Sequence, residues 1–145
     1  MPILFLCTAN RIRSPLAEAL WQREAAPIAA ESAGTWTKAD LPAHPAALQV
    51  AEEMGLNLAN HRSRRVEDVR LEEYELILTM ERGQRDALRA EYYQHARRIF
   101  TLAERASGYA YDVVDPEGHT VPATRATAHE LEKLIRALRG KMDVA

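Results

Sequence analysis

Ile3-Leu4-Phe5-Leu6-Cys7-Thr8-Ala9-Asn10-Arg11-Ile12-Arg13-Ser14-Pro15 is the stretch on which the reading of this chain turns. Ile3–Leu6 is an unbroken apolar run, the pattern of a strand buried on both faces of a parallel sheet. Ser14-Pro15 opens a helical pattern over 14–26, with Ser14 as N-cap and Pro15 in the first helical position. Between them lie one cysteine, a short loop without glycine, and Arg13. A lone cysteine at a strand end is commonly a small buried hydrophobe. Strand, short loop, arginine and helix start together describe something else, a cradle for a tetrahedral oxyanion. Successive loop N–H groups form an anion nest, the following helix points its N-terminus inward, and an arginine fork grips two oxygens. The same positive surroundings favour Cys7 as a thiolate nucleophile. Asn10 is the loop residue suited to a left-handed backbone. No G-x-x-x-x-G-K-[ST] motif occurs, so a nucleotide-hydrolase phosphate loop is excluded.

Downstream, apolar runs alternate with helical patterns. Strands are expected at Ile28–Gly34, Glu75–Met80 and Arg98–Leu102. Helices are expected from Pro45 to Met54 (closed by Gly55), from Arg82 to Tyr93, and from Pro122 to Arg139, the last with Leu131, Leu134, Ile135 and Leu138 inward. Residues 103–120 read as mostly irregular. Such alternation implies an α/β domain with parallel strands, whose ligands sit beyond the strands' carboxyl ends, where Cys7 lies. The 145 residues suit one domain, 1–145, and 47% hydrophobic with 28% charged residues suits a folded core. A net charge of -2 gives no reason to expect a nucleic-acid partner. No run is long enough to span a membrane, and the first residues lack the basic segment of a signal peptide. One cysteine excludes an internal disulfide and a cysteine-rich zinc site, and points to a cytoplasmic setting. His95, His119 and His129 lack ligand-like spacing, so no metal and no cofactor are expected. Arginine outnumbers lysine 16 to 3, and Arg62, Arg64 and Arg65 read as a solvated face.

Leu6–Glu18 closely resembles the phosphate loop of the low-molecular-weight protein tyrosine phosphatases. Ser32-Ala33-Gly34-Thr35, Gly55, His61-Arg62-Ser63-Arg64 and Asp115-Pro116 follow in that family's order, so the resemblance spans the chain. It implies a three-layer α/β sandwich with a central four-stranded parallel sheet flanked by helices. It also implies a phosphomonoester hydrolase, a protein tyrosine phosphatase, working through a phosphocysteine at Cys7 without metal. On this resemblance Thr8, Ala9, Asn10, Arg11, Ile12 and Arg13 bind phosphate, and Ser14 eases departure of the sulfur. Asp115 serves as general acid and then base, preferred over Asp112 because it precedes proline. Asn10, Ser32 and His61 brace the loop. Trp36, Tyr109 and Tyr111 are expected to wall the substrate pocket, with Arg11 at its mouth.

The expected partners are phosphotyrosine proteins or aryl phosphates, together with inorganic phosphate and other oxyanions. Three departures stand out: Ile12 where many members have a second cysteine, Arg11 in place of an aliphatic residue, and Glu117-Gly118 where relatives often carry aromatics. An arsenate reductase on the same scaffold would need an external thiol, since the chain has no further cysteine. A non-catalytic phosphate or phosphoprotein binder is disfavoured by the joint presence of Cys7, Arg13, Ser14 and Asp115.

Overall fold

The computed structural model describes residues 1–142; the last three positions of the expected 1–145 domain lie outside the described residues. Four parallel strands, β1 (Ile3–Cys7), β2 (Ala30–Gly34), β3 (Leu76–Thr79) and β4 (Ile99–Thr101), form one sheet in the order β2-β1-β3-β4. Every β1 side chain is buried, which explains its unbroken apolar run. Ile3, Phe5 and Cys7 face one helical layer, packing with α1 (Arg13–Arg23), α2 (Pro45–Glu53), α4 (Leu102–Ser107) and α5 (Val121–Met142). Leu4 and Leu6 face the other, with Leu88 of α3 (Arg82–Glu91) and the turns carrying Val66 and Leu71. Alternate β1 residues thus serve opposite faces. The expected α/β three-layer architecture is the one observed.

One local expectation fails. Ser14 is not the N-cap of α1: the helix begins at Arg13 after Ile12, and no side chain caps it. The Ser14 hydroxyl is engaged by Cys7 and Asn10 of the preceding loop instead. Residues 103–120 are mostly irregular, as expected, but α4 occupies Leu102–Ser107. Thr101 caps it by accepting from Glu104 N–H, and Gly108 closes it at φ 88°.

Candidate active site

The loop after β1 curls around the Cys7 sulfur. Asn10 takes φ 57°, the left-handed conformation that makes the curl. Its backbone N–H then points at Cys7 Sγ, 3.3 Å away. Ser14 Oγ lies 3.0 Å from the same sulfur. That oxygen accepts from Asn10 Nδ2 at 2.8 Å, and of the two acceptors within reach of its own hydrogen the sulfur is nearer than the Ala33 carbonyl at 3.5 Å. Asn10 Nδ2 also donates to Ser32 Oγ at 2.9 Å, and Asn10 Oδ1 accepts from Arg64 N–H at 2.9 Å. The Asn10 side chain is therefore occupied on every side that holds the loop. His61 Nε2 sits 2.7 Å from the Asn10 carbonyl; a carbonyl only accepts, so this nitrogen carries the hydrogen.

β2 supports the loop from behind. Thr35 and Trp36 donate backbone N–H groups to the Cys7 and Thr8 carbonyls, each at 2.9 Å. This close approach requires glycine at position 34. A Cβ there would lie 2.7 Å from the Thr8 carbonyl oxygen and 2.8 Å from Thr37 Cγ2.

Arg13 is almost wholly buried, and its guanidinium is fixed from one side. Nη1 donates to Glu81 Oε2 at 2.5 Å and to the Val113 carbonyl at 2.8 Å. Nη2 makes only a long contact with Thr8 Oγ1, at 3.4 Å. Nε is buried and has no hydrogen-bond partner among the described residues. The Nε–Nη2 edge is thus the part of the fork left for an oxyanion. Asp115 stands over it, with Oδ1 3.6 Å from Nε. Among the described residues, no group of three His, Cys, Asp or Glu side chains is placed to hold a metal.

These groups line a cavity of about 310 Å³ with Cys7, Thr8, Ala9, Ile12 and Arg13 at its base. Arg11 lines it too, with its Nε donating to the Pro42 carbonyl at 2.9 Å. The walls differ from expectation. Trp36 is 84% exposed and lines a separate groove with Gln84 and Leu88, because its side chain turns toward α3 even though its backbone touches the loop. Tyr109 follows the left-handed Gly108 into solvent. Tyr111 lies near Glu130 of α5, which with partial burial raises its pKa, burial being the larger cause. None of the three lines the cavity.

His44, Glu81 and His119 do line it, and sequence reasoning missed all three. His119 had one visible signal, its place four residues after Asp115; Glu81 and His44 had none. Asp112 sits outside the cavity. It accepts from Arg82 N–H at 2.9 Å and from Arg82 Nε at 3.0 Å. Those bonds, the backbone one first, lower its pKa and keep it ionised at neutral pH.

The sequence profile described as "Low molecular weight phosphotyrosine protein phosphatase" matches residues 2–144. The chain belongs to this family. Within the family it is similar to a protein-arginine-phosphatase of Bacillus subtilis, 33% identical over 142 residues covering 95% of this chain and 94% of the relative. Among solved structures, the YwlE arginine phosphatase from Geobacillus stearothermophilus superposes with a TM-score of 0.93 at 33% identity, covering 98% of this chain and 92% of that one. A low molecular weight protein tyrosine phosphatase from T. tengcongensis gives 0.88 at 34%, covering 97% and 99%. The chain is therefore a cysteine-dependent phosphatase of the low-molecular-weight family, with relatives named for arginine as well as for tyrosine.

Proposed function

We propose that this protein removes phosphate from phosphoarginine side chains of proteins. The observation that carries the chemistry is the free Nε–Nη2 edge of buried Arg13, facing the cavity that Cys7 floors. Cys7 Sγ attacks phosphorus, and an S–P bond forms as the P–N bond to the guanidine breaks. The cradle amides and the Arg13 edge hold the equatorial oxygens meanwhile. Asp115 gives its proton to the leaving nitrogen. A water then attacks phosphorus and returns a proton to Asp115. The S–P bond breaks toward sulfur, where the Ser14 hydroxyl receives the thiolate, and inorganic phosphate leaves.

Two things support arginine as the phosphorylated residue. The relatives matching nearly the whole chain include arginine phosphatases. The cavity also presents no Phe, Tyr or Trp ring to stack on a phenol. One feature favours phosphotyrosine as a second reading: the rings of His44 and His119 at the mouth offer flat faces to an aryl group.

The test compares phosphate release from a phosphoarginine-bearing protein and from a phosphotyrosyl peptide. We expect kcat/KM higher on phosphoarginine by roughly tenfold or more, and no turnover of either by Cys7→Ser. A preference for phosphotyrosine would replace the substrate and keep the chemistry. Turnover by Cys7→Ser would overturn the chemistry itself.

A further inference from the structure

The two oxygens of Asp115 have different partners. Oδ1 lies 3.6 Å from Arg13 Nε, on the cradle side. Oδ2 lies 2.7 Å from His119 Nε2, on the outer side. We propose that His119 is a positioning residue for Asp115, holding Oδ2 so that Oδ1 faces the leaving group. This rests on the reading of Asp115 as the proton donor given above.

The backbone is bent to bring the imidazole there. Gly118 has φ 64° and His119 has φ 51°, and His119 N–H donates to the Pro116 carbonyl at 3.0 Å. A left-handed conformation at a non-glycine residue is disfavoured and persists only where the surroundings hold it. The turn folds the His119 side chain back over Asp115, four residues earlier.

The other charged and titratable groups around His119 are identifiable. Asp115 comes from the same turn, with Arg13 behind it; His44 comes from the N-terminus of α2, and Arg11 from the cradle loop. His44 packs edge-on to His119, with ring centroids 5.3 Å apart at 64°. Its Nδ1 accepts from Ala46 N–H at 3.1 Å, so that nitrogen carries no hydrogen. Burial first, then the charges of His119 and Arg11, lower its pKa. The site thus favours the neutral form of His44.

A hydrogen on His119 Nε2 donates to Asp115 Oδ2 and fixes the carboxyl's orientation. A glutamine at 119 keeps an N–H donor, whereas alanine keeps none.

The experiment measures kcat/KM on a series of aryl phosphates from good to poor leaving groups, for the parent, Asp115→Asn, His119→Ala, His119→Gln and the double variant Asp115→Asn/His119→Ala. His119→Ala should lose roughly tenfold on the poorest leaving groups and little on the best. His119→Gln, which keeps an N–H donor, should recover most of that loss. Adding His119→Ala to Asp115→Asn should cost nothing more, because the group it acts through is gone. His119 is about half exposed, so these changes leave the core untouched.

A parent-like leaving-group dependence in His119→Ala would overturn the inference. A loss in His119→Gln as large as in His119→Ala, or a further loss in the double variant, would do the same. If Asp115→Asn itself keeps the parent's dependence, the proton-donor reading fails and this inference fails with it.

Discussion

Arg13 combines two jobs that a lysine cannot. One nitrogen is tied to Glu81 and to the Val113 carbonyl, and that anchorage aims the remaining edge at the cavity. Lysine has a single ammonium head, so it can satisfy the anchor or meet the phosphate, but it cannot present two parallel N–H groups. Arg13→Lys should therefore lower kcat/KM by about 10²–10³, the cost typical of a lost donor to transition-state charge. Steady-state hydrolysis of an aryl phosphate checks this, and activity within threefold of the parent would contradict it. Arg11 presents the opposite case, a cation at the rim tethered to Pro42. Arg11→Ile should weaken the preference for phosphopeptides with acidic flanking residues, most at low salt, where an exposed charge is least screened. Unchanged selectivity at both salt concentrations would remove Arg11 from substrate choice.

The first turn of α1 shows why a familiar cap was the wrong expectation. A helix start leaves N–H groups without partners, and a side-chain cap would consume one of them. Here Ile12 offers no cap, and Ser14 spends its hydroxyl on the Cys7 sulfur, which leaves the helix end open to an anion. α2 does carry a side-chain cap, and it is the unusual one of His44. The fold lowers the His44 pKa from 6.5, so near that value the unfolded chain binds more protons than the folded one. The stabilisation is complete above about pH 6.5 and drains away as pH falls toward the lower folded value. His44→Asn keeps an acceptor for Ala46 N–H and removes the titration. Between about pH 7.5 and 5.5 the urea midpoint of the parent should fall further than that of His44→Asn. Equal falls would show that His44 does not contribute.

The cradle was legible because strand, loop and helix start are contiguous, and each obeys local rules. The helix at Leu102–Ser107 was less so: six residues give too little periodicity, although Thr101 and Gly108 mark its ends. The cavity walls were legible only in part: Asp115 before its proline was, whereas Glu81 and His44 left no signal. The walls come from three distant segments, and backbone proximity, which Trp36 has, does not say where a side chain points.

The three-layer arrangement gathers the chemistry at the carboxyl ends of the strands and leaves it a single thiol. Peroxide that oxidises Cys7 to the sulfenic acid meets Ile12 where a second cysteine would trap it. Further oxidation to the sulfinic acid is then the open path. Treatment with peroxide and then reductant should leave activity lost and the intact mass raised by two oxygens, and bound phosphate should slow the loss. Full recovery of mass and activity would refute this.

β1 is the first strand made and one of the two inner strands of the sheet, flanked by β2 and β3. The carbonyl that anchors Arg13 lies at Val113, and the carboxylate over the cradle at Asp115. On a ribosome adding roughly 5–20 residues per second, Cys7 emerges about 5–20 s before Asp115. A chain cut short before Val113 has the sulfur but lacks one anchor of Arg13, the acid, and α5 with its core residues Leu131, Leu134, Ile135 and Leu138. Interrupted synthesis of this protein therefore yields thiol-bearing fragments rather than stray phosphatases, and translation through α5 is what arms the enzyme.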